Sequence, residues 1–337
     1  MSNSRRLRLA LFGSGRIGQV HARNVAAHPN IDLAIIADPF IDGARRLAEE
    51  TGARAVEDPE EVFAEQGLDG VIIGSPTNTH VDLISRSVDH GLAVLCEKPI
   101  DLDIQTVLEC QQRLQRTTVP IMLGFNRRFD PHFSAVRSRV EAGEIGRLEQ
   151  LTITSRDPEP APRGYIETSG GIFRDMTIHD LDMARFFVPE IVEVSAVGSN
   201  VFSDDIEELG DFDSVVVTLR GSGGELINIT NSRHCAFGYD QRLEAFGSEG
   251  LLSASNVTPT NVKKYSSAGT EESSPYLPFF LERYVQAYSA ELEAFAHSIR
   301  TGAPCSPSFE DGVTALVLAN AAEESATTGK TVTIGKA

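Results

Sequence analysis

The chain has 337 residues, 41% of them hydrophobic, which is long enough for two cores and too apolar for a disordered polymer. Its 48 acidic against 30 basic residues give a formal charge of -18, a balance that repels nucleic-acid phosphates and anionic lipid, so neither is an expected partner. No apolar run approaches the ~18 residues of a membrane-spanning helix, and Cys96, Cys110, Cys235 and Cys305 lack CxxC spacing, which points to reduced thiols in the cytoplasm and to no metal site.

From Leu7 to Leu123 short apolar runs alternate with amphipathic segments of helical length, the pattern of parallel strands joined by crossover helices. Strands are expected at 8–12, 33–38, 70–74, 93–97 and 120–123, with a weaker one at 54–56. Helices are expected at 18–27, 41–50, 59–65, 80–90 and 103–115. This is a doubly wound α/β sheet of the Rossmann type.

Beyond Phe125 a helix runs to 142, and longer alternating stretches follow at 147–155, 191–198, 214–220, 225–232 and 241–247. Turn signals such as Gly221-Ser222-Gly223-Gly224 separate them, which suits a large, open, mostly antiparallel sheet in an α+β domain. A helix is expected at 175–187 and two more at 278–300 and 309–327, while 203–211 and 266–274 read as polar loops. The expected division is one domain over 1–125 and a second over 126–337, whose last helices can pack back on the first.

Gly13-Ser14-Gly15-Arg16-Ile17-Gly18 lies between a strand and a helix, where its glycines allow a tight turn and close approach of backbone to a pyrophosphate at the helix N-terminus. Asp38 follows Gly18 by 20 residues at the end of the second strand, placed to bind the adenosine ribose hydroxyls and to repel a 2'-phosphate. NAD is therefore the expected cofactor; Arg45 and Arg46, a turn or more further on, read as solvated. Ser75, Pro76, Thr77 and His80 follow the next long strand at the ligand-binding edge of the sheet and are expected to line the cofactor, with Thr77 or Thr79 also capping the helix. Glu97 and Lys98, before Pro99, close the fifth strand; both join the cofactor group, and the Lys98 ammonium can also hold a substrate hydroxyl.

In Gly170-Gly171-Ile172-Phe173-Arg174-Asp175-Met176-Thr177-Ile178-His179, the aspartate and histidine stand four apart on one helical face. A carboxylate so placed orients an imidazole and stabilises its charged form, as alcohol oxidation needs of its base; an exposed ion pair is the plainer reading. Met176, Met183 and Phe187 form a separate apolar stripe, and Asp180 points away from His179 and Asp182, so metal binding is not expected. Asn126, Arg127, Asp157, Tyr165 and Tyr239 lie near strand ends and suit a pocket that reads a ring of hydroxyls.

The order of these motifs, with GSGRIG, ADP, EKP and SGGIFRDMTIHDLDMARF, resembles the glucose-fructose oxidoreductase and inositol dehydrogenase family along essentially the whole chain. SRDPEPAP, FRDMTIHDLDMARFF and GYDQRLEAFGS are similar to the inositol 2-dehydrogenases of bacterial inositol catabolism. The resemblance implies a dinucleotide-binding Rossmann domain over 1–125, a substrate-binding and oligomerisation domain over 126–337, NAD-dependent oxidation of a ring hydroxyl of myo-inositol, catalytic roles for Lys98, Asp175 and His179, a cis bond before Pro99, and tetramers formed through the large sheets. Relatives acting on scyllo-inositol, chiro-inositol or glucose would keep the same triad. A non-catalytic NAD-binding regulator is the rival class.

Overall fold

The computed structural model describes residues 5–335; the outermost residues of the two expected domains, 1–4 and 336–337, lie outside it. Two compact units are present: the chain through Phe129 together with Gln286–Thr314, and Asp130–Val285 together with the chain from Ala315.

The first unit follows the expected alternation: β1 (Leu7–Phe12), α1 (Arg16–Ala27), β2 (Ile31–Ala37), α2 (Ile41–Thr51), β3 (Arg54–Val56), α3 (Glu60–Ala64), β4 (Gly70–Ile73), α4 (His80–Asp89), β5 (Ala93–Cys96), α5 (Ile104–Leu114) and β6 (Ile121–Leu123). Among the described residues these strands form one parallel sheet in the order β3-β2-β1-β4-β5-β6. β4 and β5 are buried at every position, as strands covered on both faces must be, which is why they read as unbroken apolar runs. Gly52 ends α2 in the left-handed region at φ +78, and the Asp103 side chain caps α5 by accepting from the Gln105 amide. Leu292, Phe295 and Ala296 from the returning segment share a buried cluster with Leu7, Leu9, Leu33, Ile36 and Leu95.

The second unit opens with a break. The helix expected to run on to 142 is a 3-10 turn at Asn126–Phe129 followed by α6 (Pro131–Glu141), because Pro131 keeps Asp130 extended. Asp130 then caps α6 by accepting from His132 N and Phe133 N, and its other oxygen meets Arg283 in a buried ion pair. β7 (Leu148–Arg156), α7 (Arg163–Ser169), α8 (Ile178–Phe187), β8 (Ile191–Ser199), α9 (Asp204–Glu208), β9 (Ser214–Gly221), β10 (Leu226–Ser232), β11 (Asp240–Gly247) and β12 (Gly250–Ala254) follow. A hairpin, β13 (Lys263–Ser266) and β14 (Gly269–Ser273), precedes α10 (Phe280–Arg283), α11 (Val285–Thr301), α12 (Phe309–Thr328) and β15 (Val332–Thr333). The main sheet runs β12-β11-β7-β10-β9-β8-β15 among the described residues, antiparallel except at β7–β10.

Strict alternation along β9, β10 and β11 buries Val215, Val217, Leu219, Ile227, Ile229, Leu243 and Ala245 on one face. The opposite face exposes Val197 opposite Val216 and Phe246 opposite Leu251. Two segments read as loops are ordered: 203–211 holds α9, capped by Ser203 Oγ, and 266–274 is largely the strand β14. The helix expected at 278–300 divides into α10 and α11.

Phe295 is fully buried. Phe295→Ala should lower the unfolding free energy by about 3 to 5 kcal/mol in urea denaturation, and a loss below about 1 kcal/mol would contradict its place in the first unit's core.

Candidate active site

In the first unit the strand order reverses between β1 and β4, the place where this class of sheet binds ligands. Gly13, at φ +95, sits there so close to β4 that a Cβ on it would lie 2.6 Å from Gly74 O. A Cβ on Gly18 would lie 2.1 Å from Gly13 O. Gly15 differs, because among the described residues no atom comes within 4 Å of its missing Cβ. The outer glycines therefore permit backbone contact, and the middle one leaves a cradle at the start of α1. No side chain caps that helix end among the described residues, so its first amides face the cradle available to an anion. Arg16 is exposed beside it and Ile17 is half-buried.

Asp38 stands at the end of β2, buried, with Oδ2 accepting from Ser14 N at 2.6 Å and Ser14 Oγ at 2.7 Å and Oδ1 accepting from Phe40 N at 2.8 Å. A cleft of about 380 Å³ opens there, lined by Ser14, Gly15, Asp38, Phe40, Gly43 and Arg46. Arg46 is exposed, as expected, and borders the cleft, whereas exposed Arg45 pairs with Asp42. An amide-lined helix end beside a carboxylate fits the pyrophosphate and ribose of a dinucleotide.

At the neighbouring strand ends one expectation, the cap by Thr79, needs correction, and His80 and Glu97 have partners within the protein. Thr79 does not cap α4: its hydroxyl donates to Pro76 O at 2.7 Å and lies 2.6 Å from Ser75 Oγ. His80 is buried, with Nδ1 2.8 Å from Pro99 O and Nε2 2.9 Å from Ser75 O, so its ring stands between two backbone turns and, when neutral, donates to one of the two carbonyls. Burial pushes this imidazole below its ordinary range, against the two carbonyls, which favour a charged ring. Glu97 turns its carboxylate inward, 2.8 Å from His21 Nε2, and Gly124 makes room for it, since a Cβ there would lie 2.9 Å from Glu97 Oε2.

Lys98 is the one half-buried residue in an otherwise buried run from Leu92 to Ile100. The Lys98-Pro99 bond is cis, as the family resemblance implies. Asn126, Arg127 and Arg128 are buried in the turn after β6, where Arg128 pairs with Asp311 at 3.1 Å.

In the second unit Gly170 and Gly171 both take φ +82 before the helix that carries Asp175 and His179. Phe173–Thr177 is a π-helical turn, so the four-residue spacing does not describe a regular α-helical face. Asp175 and His179 are half-buried, while Phe173, Met176, Thr177, Ile178 and the stretch 180–184 are buried, including the Met176, Met183 and Phe187 stripe. The Tyr165 hydroxyl donates to Asp175 Oδ1 at 2.8 Å, and Arg233 Nη1 donates to Asp175 Oδ2 at 3.1 Å. Asp157 is half-buried at the end of β7, its amide donating to Ser232 O. Tyr239 is buried edge-on to Phe279 and Tyr284, which gives its ring a packing role. Asp180 accepts from Asn231 Nδ2 at 2.7 Å. Among the described residues no cluster of His, Cys, Asp and Glu could hold a metal ion.

The sequence reading missed Arg233, which is 1% exposed and bridges Asp175 to Asp211. A signal was available: the inward parity of Ile227 and Ile229 in β10 continues through Asn231 to Arg233, and a cation aimed into a core requires buried carboxylates.

Residues 7–125 match the oxidoreductase family with an NAD-binding Rossmann fold, and residues 133–253 match the GFO/IDH/MocA C-terminal domain. The chain belongs to the GFO/IDH/MocA oxidoreductase family. Its 7–125 region is the NAD-binding Rossmann domain of that family. It is 44% identical to an inositol 2-dehydrogenase of Rhizobium meliloti, an alignment covering 97% of this chain and 99% of the relative. It superposes on the crystal structure of a myo-inositol dehydrogenase from Corynebacterium glutamicum with a TM-score of 0.96 at 64% identity, over 98% of this chain and 100% of that one. A scyllo-inositol dehydrogenase from Lactobacillus casei, solved with NAD(H) and scyllo-inositol, gives a TM-score of 0.91 at 27% identity, over 98% and 99% of the chains.

The glycines of this family member should separate by experiment. Gly15→Val should melt within a few degrees of the wild type yet weaken NAD at least about tenfold by calorimetry, because its side chain enters the cradle. Gly18→Ala should lower the melting temperature sharply, since its Cβ meets backbone. Equal melting temperatures for the two variants would refute this assignment.

Proposed function

We propose that this enzyme oxidises one ring hydroxyl of myo-inositol to the 2-keto inositol. The observation that carries the reading is the 64% identity to the Corynebacterium glutamicum myo-inositol dehydrogenase over essentially both chains. NAD, when bound at the glycine turn and Asp38, accepts the hydride that leaves the carbinol carbon.

His179 takes the hydroxyl proton, so that as the C–H bond breaks the O–H electrons form the second carbon–oxygen bond of the ketone. Asp175 stabilises the imidazolium that results, and Lys98 donates a hydrogen bond to the reacting oxygen and favours its developing negative charge. Supporting this, Lys98, Asp175 and His179 are each half-buried within segments that are otherwise largely buried, where a charged group is retained only for a task. The reading requires the ammonium and the imidazole to serve one alcohol. Asn126, Arg127, Asp157 and Tyr165 supply hydrogen-bonding groups for the remaining hydroxyls, and among them Tyr165 already reaches Asp175.

We further infer a cytoplasmic homotetramer. All four cysteines are unbonded thiols, and among the described residues no helix is long and apolar enough to cross a membrane. The exposed sheet face carrying Val197, Val216, Leu226, Phe246 and Leu251 is the surface that self-association would cover.

His179→Ala should lower kcat by about 10² to 10⁴ with NAD affinity retained, and unchanged turnover would eliminate it as the base. Across myo-, scyllo- and chiro-inositol, glucose and xylose, assayed with NAD and NADP, kcat/KM should be highest for myo-inositol with NAD. A protein that binds NAD and reduces none of it with any of these polyols would be the regulator instead. Native mass spectrometry should give four chains, and Val216→Glu with Phe246→Glu should give smaller species.

A further inference from the structure

Arg233 is almost entirely withdrawn from solvent at the end of β10, and its guanidinium reaches two carboxylates at once. Nη1 donates to Asp175 Oδ2 and Nη2 to Asp211 Oδ2, both at 3.1 Å. Asp211 is not a passive counterion, because its Oδ1 accepts the backbone amide of Ile172 at 2.9 Å, at the start of the helix that carries Asp175. The left-handed Gly171 makes that approach possible: a Cβ there would stand 3.1 Å from Asp211 Oδ1.

One planar cation therefore grips the carboxylate of Asp175 and, through Asp211, the first amide of the same helix. This is a task for arginine and not for lysine, since only the rigid fork presents two parallel N–H groups to separate acceptors. Burial works against the guanidinium's charge, and the Asp175 and Asp211 carboxylates, with Asp157, more than restore it, so its pKa lies above the ordinary value. Asp175 sits in the π-helical turn Phe173–Thr177, a local irregularity of the kind often found at functional sites, and Arg233 and Tyr165 each hold one of its oxygens.

We propose that Arg233 is a positioning residue for the oxidation, holding the Asp175 carboxylate in the orientation from which it serves His179. The proposal rests on the reading that Asp175 and His179 carry the proton transfer. It predicts a loss in kcat, with the KM for NAD unaffected, because the residue acts through Asp175 and belongs to the second unit.

The experiment is a double-substitution cycle on the full-length enzyme with myo-inositol and NAD. Arg233→Lys, which keeps a cation in the site, should lower kcat by about tenfold and Arg233→Met by about 10²-fold, with the KM for NAD within about twofold of wild type. Asp175→Asn should lower kcat by itself, and adding Arg233→Lys to it should cost less than about twofold more, since both changes remove one orientation. Circular dichroism and melting confirm the fold; should Arg233→Met not fold, the lysine variant and its cycle decide the matter alone. Full multiplication of the two losses in the double variant, or wild-type kcat in Arg233→Lys, overturns the positioning role while leaving the Asp175 reading intact. Wild-type turnover in Asp175→Asn overturns both.

Discussion

Dinucleotide binding by the first unit depends on backbone approaching backbone at the start of α1. Gly13 lies against Gly74 and Gly18 against Gly13 at separations no side chain permits. This contact brings the ends of β1 and β4 together where the strand order reverses, and it turns the first amides of α1 outward. The surrounding residues hold that arrangement. His80 stands between the Ser75 turn and Pro99, and the inward Glu97 joins the end of β5 to His21 of α1. Lys98 is thereby flanked on both sides in sequence by residues with partners inside the first unit.

The second unit solves a different problem, which is how to keep charged groups oriented inside a protein with so large an acidic excess. Its answer is to bury guanidinium groups among carboxylates. Arg283 pairs with the capping residue Asp130, and Arg233 bridges Asp175 and Asp211. Removing one partner of such a buried pair costs about 3 to 5 kcal/mol, so these contacts fix geometry even where their net contribution to stability is small. Of the 30 basic residues, Arg127, Arg128, Arg233 and Arg283 are buried.

How much was legible in the sequence follows from the kind of burial each segment experiences. β4 and β5, covered on both faces, announce themselves as apolar runs, and β9 to β11 as alternation. β15, with two residues, offers no period to detect, and α7 is only two turns long. At the site, the glycine spacing and Asp38 were readable because backbone geometry demands those residue types at those places. The internal partners of Glu97 and His80 were not readable, because a strand end shows which residues lie near a ligand and not which way each side chain turns. The π-turn is invisible to any argument based on a period of 3.6, and Arg233 was missed because the alternation of β10 was not followed past the end of the strand.

Asp38 has a consequence for the evolution of coenzyme choice. Its Oδ2 accepts both donors of Ser14, so the carboxylate expected to discriminate between ribose and its phosphate also shapes the glycine turn. Exchanging Asp38 alone for a neutral apolar residue would leave the buried Ser14 amide without its acceptor, at a cost of about 1 to 3 kcal/mol. A guanidinium already borders the cleft at Arg46. The obstacle to a phosphorylated coenzyme is therefore the integrity of the loop more than the lack of a cation, and a switch of preference has to rebuild positions 14 and 38 as a pair.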